Sequence, residues 1–258
     1  MKNDQIKRCA VVTGGLTGIG LAIVDALLAS GADVIVGSRS ASEAQSTHTS
    51  DKLYSAILDV ADSDSVDQFV QFALSKAPHG SIDILVNAAG ISTSQTVCGH
   101  DEDMWLSIIN TNLNGAFRMT RALLPDMIKR NWGRVINIGS TAATVGEINS
   151  PAYCASKAGL LGLTRCVALE GAAHGVTCTM VSPTWVDTPM MRRSMARQVE
   201  TDNTLTSVED AMQRVADENP QNRVVQSEEI AALVNFLCSE EAKGLTMENI
   251  QVTGGAQW

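Results

Sequence analysis

Short apolar runs of strand length recur along this chain, and stretches with helical spacing lie between most of them. The runs are "CAVVTGG", "ADVIVGS", "KLYSAILDV", "IDILVNAAG", "GRVINIGS", "VTCTMVSP" and "NIQVTGG". An amphipathic stretch from Ile19 to Leu28 follows the first. A second helix fits residues 62–77, with Asp62 as N-cap and Val66, Phe69, Val70 and Ala73 at helical spacing. Residues 104–128 and 153–173 carry the same period, and "SEEIAALVNFLCS" reads as a helix started at Ser227, with Ile230 where a capping box has Glu and two acids in its first turn. Strands alternating with helices call for βαβ units and a mainly parallel sheet. The expected fold is therefore α/β: one Rossmann-type doubly wound parallel sheet with helices on both faces, spanning 1–258 as a single domain. Residues 188–226 break the alternation. They are polar, Met-bearing and weakly helical, and a long insertion of this kind between a strand and a helix reads as a substrate lid or binding loop.

Charge narrows the function classes. With 19 basic against 28 acidic residues the net charge is −9, and no Lys/Arg run stands out, which argues against a nucleic-acid or anionic-membrane partner. No stretch approaches the roughly 20 apolar residues of a membrane span, and the N-terminus lacks the order of a signal peptide. Cys9, Cys98, Cys154, Cys166, Cys178 and Cys238 are scattered and read as reduced thiols; His48, His79, His100 and His174 have no ligand spacing, so no metal is expected. A soluble, cytoplasmic enzyme acting on a small molecule is the expectation.

The sharpest local signal is "VVTGGLTGIG", which sets Gly14, Gly18 and Gly20 between the first strand and the first helix. Glycines there permit a tight turn and close backbone approach to a diphosphate, while the helix N-terminus supplies N–H donors. The second strand ends in Gly37, Ser38 and Arg39 with no acid to bind a ribose 2′-hydroxyl. An Arg at that place suits a 2′-phosphate, so NADP(H) is favoured and NAD(H) stays open. Thr17 occupies a position where a second basic residue would have strengthened that reading.

A second signal is "YCASK". Tyr153 and Lys157, four residues apart, lie on one face of a helix. With "TGGLTGIG" (13–20), "NAAG" (87–90), "INTNLNGAF" carrying Asn112, and "INIGS" carrying Ser140 thirteen positions before Tyr153, the chain resembles the classical short-chain dehydrogenase/reductase family over essentially its whole length. The resemblance implies hydride transfer at nicotinamide, with a proton moving between Tyr153 and the substrate oxygen. Lys157 and the positive nicotinamide would lower the Tyr153 pKa from its ordinary value near 10. Ser140 would hold the substrate oxygen, Lys157 the nicotinamide ribose, and Asn112 a relay water. It also implies cofactor contacts at Gly14, Thr17, Gly18, Ile19 and Gly20, at Ser38 and Arg39, and near the adenine at Asp59 and Val60. Asn87, Ala88 and Gly90 would follow, then Tyr153 and Lys157, then Pro183, Val186 and Thr188 toward the carboxamide. Asp59 also suits a helix cap. Departures from the pattern are Ala88 for a second Asn, Thr184 for the Gly after Pro183, and Thr253 for a near-terminal Asp.

Substrate is written less clearly. Residues 91–97, 141–150 and the lid should line its pocket. Glu147 and Asn149 suit either a polar substrate group or solvent, and Met190, Met191 and Met195 suit an apolar wall or the core. Arg192, Arg193 and Arg197 suit a solvated helix face or an anionic tail. The lid loosely resembles β-ketoacyl and polyketide-type ketoreductases, which implies a carbonyl reductase or secondary-alcohol dehydrogenase for a β-keto or cyclic ketone. A nucleotide-sugar epimerase or dehydratase and a non-catalytic dinucleotide sensor are the rival readings. The family also implies a homotetramer, built on the apolar faces of 104–128 and 153–169.

Overall fold

A computed structural model describes residues 8–41 and 51–256; the N-terminal segment read above and His48 lie outside the described residues. Seven strands form one parallel sheet: β1 (Cys9–Thr13), β2 (Asp33–Ser38), β3 (Leu53–Ile57), β4 (Ile84–Asn87), β5 (Gly133–Ile138), β6 (Val176–Pro183) and β7 (Asn249–Val252). Their order is β3-β2-β1-β4-β5-β6-β7. The chain builds outward from β1 to β3, then returns to lay β4 against the other side of β1. That reversal opens a crevice at the carboxyl ends of β1 and β4, where doubly wound sheets bind their ligands.

Period-two alternation feeds two cores from each central strand. Cys9 and Val11 of β1 face one layer while Ala10 and Val12 face the other, and Val135 and Ile136 divide β5 in the same way. The first layer is closed by α2 (Ser63–Lys76), α4 (Gly115–Lys129) and α5 (Pro151–Gly171) through Val66, Phe69, Met119, Leu123 and Val167. The second is closed by α1 (Gly18–Ala29) and α8 (Ser227–Leu237) through Ile23, Val24, Leu27, Ile230 and Val234. Strands with both faces buried read as continuous apolar runs, which is why the sequence displays them so plainly.

Asp62 caps α2 as expected, accepting from the Asp64 amide at 2.9 Å. Two local expectations need correction. The helix expected over 104–128 is α3 (Glu102–Ile109) and α4 joined by a π-helical turn at Asn110–Asn114. The wider turn admits Asn112 to the interior, a use to which such insertions in helices are often put. The cap of α8 is Gln226 rather than Ser227: the Gln226 amide donates to Glu229 Oε1 at 2.8 Å, so the box sits one residue earlier than the serine suggests.

Residues 188–226 are better ordered than their polarity suggests. They form α6 (Pro189–Thr201) and α7 (Val208–Glu218), which share a small core of Met191, Met195, Leu205 and Ala211. A parallel bridge between Val186 and Val225 ties the base of this unit together.

Candidate active site

The turn after β1 is built for close approach. Gly14 and Gly18 have φ of 69° and 54°, left-handed values that favour glycine. A Cβ on Gly14 would lie 2.9 Å from Ala89 Cα, and one on Gly20 would lie 2.3 Å from the Gly14 carbonyl oxygen. Thr17, the N-cap of α1, makes no side-chain cap bond, and the first turn holds no acid. Its amides are thus left for an external acceptor beside the positive end of the helix dipole. Thr13 fixes the facing wall: its Oγ1 accepts from the Ala88 and Ala89 amides at 3.1 Å each. The residues present fit a dinucleotide diphosphate.

From this turn a cleft of about 1350 Å³ runs in both directions. A drug-sized ligand fills a pocket of roughly 300–1,000 Å³, so the space suits a dinucleotide with a second ligand beside it. At one end stand exposed Arg39, Ser38 and half-buried Asp59. The Asp59 carboxylate accepts from the Ala61 amide at 2.9 Å, which holds it in its own turn ahead of the Asp62 cap. Val60 is fixed by contact with Gly115, where a Cβ would come within 2.7 Å.

At the other end the start of α5 presents Tyr153 and Lys157. Lys157 is buried; its Nζ donates to the Ile138 carbonyl at 2.7 Å and stands 5.5 Å from the centre of the Tyr153 ring. Burial drives the lysine from 10.5 down to about 8. It also pushes the Tyr153 phenol up to about 12, and the Ser140 hydroxyl beside it only partly offsets that. Among the chain's own groups, desolvation of a phenolate outweighs the favourable hydrogen bond. Tyr153 is therefore a neutral O–H at ordinary pH. Ser140 accepts from the Ala142 amide at 3.2 Å, which stiffens the turn after β5 and holds its hydroxyl in the cleft.

Of the catalytic and cofactor residues singled out from the sequence, all but Asn87 and Asn112 line this one cleft. The Asn87 side chain points into the core, donating to Asn137 Oδ1 at 2.8 Å. It belongs to a buried polar chain that continues from Asn137 to Thr164 at 2.8 Å. Asn112 sits just behind the wall, where its Oδ1 accepts from the Ile91 amide at 2.8 Å and its Nδ2 donates to the Ile91 carbonyl and Ser156 Oγ. Ser156 in turn donates to the Tyr153 carbonyl at 2.7 Å. Ser156 and the Ile138 carbonyl are parts of the site that sequence reading missed. A small hydroxyl within "YCASK" was the available hint for the first; a backbone acceptor leaves none.

The third wall is the start of α6 and the segment before it. Thr188 caps α6 by accepting from the Met191 amide at 3.2 Å, and its methyl lies 3.1 Å from where a Gly18 Cβ would stand. Thr184 lines the cleft with its amide 3.3 Å from the Val252 carbonyl. Met191 and Met195 are buried in the small core of α6 and α7, while half-buried Met190 faces the cleft. Opposite, the Gln95 amide donates to the Asn149 carbonyl at 2.8 Å and joins the two loops of the cleft mouth. Burial raises the Glu147 carboxyl, countered by the Ser150 hydroxyl.

Comparison with known proteins gives one answer at three levels. The family model described as short chain dehydrogenase matches residues 8–199. A monensin polyketide synthase putative ketoacyl reductase from Streptomyces virginiae is 37% identical over 259 residues, covering 98% of each chain. The 3-oxoacyl-(acyl-carrier-protein) reductase FabG of Salmonella typhimurium is 35% identical over 252 residues, covering 96% of each. Among solved structures, a variant of actinorhodin polyketide ketoreductase with NADPH superposes with a TM-score of 0.88 at 31% identity, covering 96% of this chain and 97% of that one. Ligand-free aldohexose dehydrogenase from Thermoplasma acidophilum gives 0.85 at 30%, covering 96% and 93%.

Proposed function

We propose, starting from the fact that this chain belongs to the short chain dehydrogenase family, that it interconverts a ketone and a secondary alcohol with NADP(H), Tyr153 moving the proton. The observation that carries the proton step is the convergence of Ser140, Tyr153 and buried Lys157 at one end of a cleft whose middle is the glycine turn. When bound, the dinucleotide supplies or takes up hydride. In reduction the neutral Tyr153 phenol donates its proton to the carbonyl oxygen as negative charge develops there. Ser140 donates a hydrogen bond to the same oxygen. The Lys157 ammonium, 5.5 Å from the ring, stabilises the phenolate left behind. Asn112 and Ser156 hold Ile91 and the first turn of α5 in register so that these groups keep their places.

NADP(H) is supported by exposed Arg39 at the tip of β2, where no acid stands, and by the NADPH in the related actinorhodin enzyme. Relatives named for ketoacyl and 3-oxoacyl reduction support a β-keto substrate. The α6–α7 unit acts as the lid over it. Six free cysteines suit the reducing cytoplasm. Exposed Leu106, Phe117 and Leu169 on α3, α4 and α5 support assembly into a homotetramer, which light scattering at micromolar concentration checks. The proton assignment is tested with Tyr153→Phe. The variant is expected to bind NADPH as the wild type does and to lose turnover by about 10²–10⁴-fold; a near-wild-type rate contradicts the assignment.

A further inference from the structure

The lid distributes its arginines unevenly. Arg192 faces away from the cleft and is neutralised: its Nε and Nη2 donate to the two Asp187 oxygens at 2.9 Å each, and Glu209 lies 3.7 Å away. Arg193 and Arg197, one turn apart, share the face of α6 that lines the cleft. Among the described residues neither has an ion-pair partner, and Arg197 Nε is buried with no hydrogen-bond acceptor. Nearby acids do not supply one. Asp202 is taken by Arg214 at 2.8 Å and by Thr204, and Glu147 on the facing loop is engaged by Ser150. Glu200 lines the same cleft but forms no ion pair with either arginine.

A buried guanidinium N–H without an acceptor is uncommon in a folded chain and points to an acceptor that arrives from outside. Pro189, in the first turn of α6, packs against the Gly18 turn. At 1.5 Å of rise per residue, Arg193 and Arg197 attach about 6 Å and about 12 Å further along the helix. Arg197 is thereby offset from the diphosphate seat at the start of α1 while still lining the cleft. A planar guanidinium takes a carboxylate or phosphate through two parallel hydrogen bonds.

We propose that Arg197, assisted by Arg193, binds an anionic group, carboxylate or phosphate, carried by the ketone substrate away from its reacting carbonyl. The inference rests on the ketone-reductase reading above and adds a substrate class to it. Two matched pairs test it in kcat/KM with NADPH: an oxo acid against its methyl ester, and a β-ketoacyl phosphopantetheine thioester against the same thioester of pantetheine. Wild type is expected to prefer the charged member of one pair, and that pair identifies the group as carboxylate or phosphate. Arg197→Met is expected to cut the charged-over-neutral ratio about 10- to 100-fold. Arg192→Met removes the same charge from the outer face and is expected to leave the ratio in place. No preference in either pair, an equal loss on both members, or a change confined to the KM for NADPH overturns the proposal. Titrating the corresponding hydroxy acid and hydroxy ester, and the two hydroxyacyl thioesters, against tryptophan fluorescence repeats the comparison without turnover, since Trp185 lines the cleft. If no ketone is reduced, that binding ratio still decides: discrimination lost in Arg197→Met supports the site, and none in wild type overturns it.

Discussion

Strand β5 meets a buried cation at each end, and the two are held in opposite ways. At its start Arg134 is 1% exposed, and its guanidinium donates to the carbonyls of Gly133, Gly175 and Ser239. It stacks on Trp132 at 4.4 Å, with Arg8 on the same ring at 3.5 Å, and Glu240 lies 3.8 Å away. At its end Lys157 is 5% exposed and donates to one carbonyl, that of Ile138. Burial lowers both pKa values, but a guanidinium remains charged regardless, whereas lysine falls to about 8. The lesson is one of satisfaction. A cation supplied with acceptors on every side ties elements together; a cation left with spare donors beside a cleft is poised to act on something else. The same contrast separates Arg192, paired with Asp187, from Arg197, whose Nε has no acceptor.

The contrast can be broken at either end. Lys157→Met should lower kcat by about 10²–10⁴-fold while the chain stays folded; retained turnover in an NADPH-oxidation assay removes Lys157 from the chemistry. Arg134→Met should do the reverse. It strands the carbonyls of Gly175 and Ser239 and is expected to lower stability by about 3 kcal/mol in urea unfolding, with kcat per folded molecule near wild type. A drop in turnover equal to that of Lys157→Met would mean the two ends are not separable. A smaller effect sharpens the picture at the cofactor's far end, where Arg39→Ala should shift the kcat/KM ratio of NADPH over NADH downward by about 10- to 100-fold. No shift would leave Arg39 a solvated surface residue.

How much of this was legible depended on whether a residue's role is carried by its own side chain. The five inner strands showed because both faces of each are buried, leaving no polar alternation to confuse them, whereas β3 and β7 at the edges are only partly buried. Gly14, Gly18 and Gly20 showed because their backbone geometry excludes other residues, and Tyr153 and Lys157 because their spacing fixes a shared helix face. The π-helical turn at Asn110–Asn114 was hidden, since the extra residue leaves the helical period nearly intact over so short a stretch. Asn87 read as a cofactor residue by its motif, yet its strand register turns the side chain inward to Asn137. The three arginines of α6 looked alike in sequence; the packing of Met191 and Met195 into the core shared with α7 sets which of them line the cleft. Tyr153's raised pKa was beyond sequence because it depends on how much protein surrounds the phenol.

The most direct test of the central claim, that Lys157 is buried at a cost to stability for the sake of the reaction, is the unfolding free energy of wild type and Lys157→Met as a function of pH. Folding lowers the lysine from 10.5 to about 8, which corresponds to about 3 kcal/mol of destabilisation while it is charged. Between these values the unfolded chain holds the proton that the folded one has released, so this contribution stabilises wild type as pH rises from about 8 toward 10.5. It is lost again as pH falls through about 8. Tyr153 acts oppositely, with stability lost as pH rises above 10, but it is present in both proteins and cancels in the difference. Removing the lysine also strands the Ile138 carbonyl, which costs about 1–3 kcal/mol at every pH. The account therefore predicts a Lys157→Met protein at least about as stable as wild type at pH 7 and less stable at pH 10. A variant already weakened by about 3 kcal/mol at pH 7, with a gap that does not change with pH, would make Lys157 a structural cation like Arg134 and contradict the account.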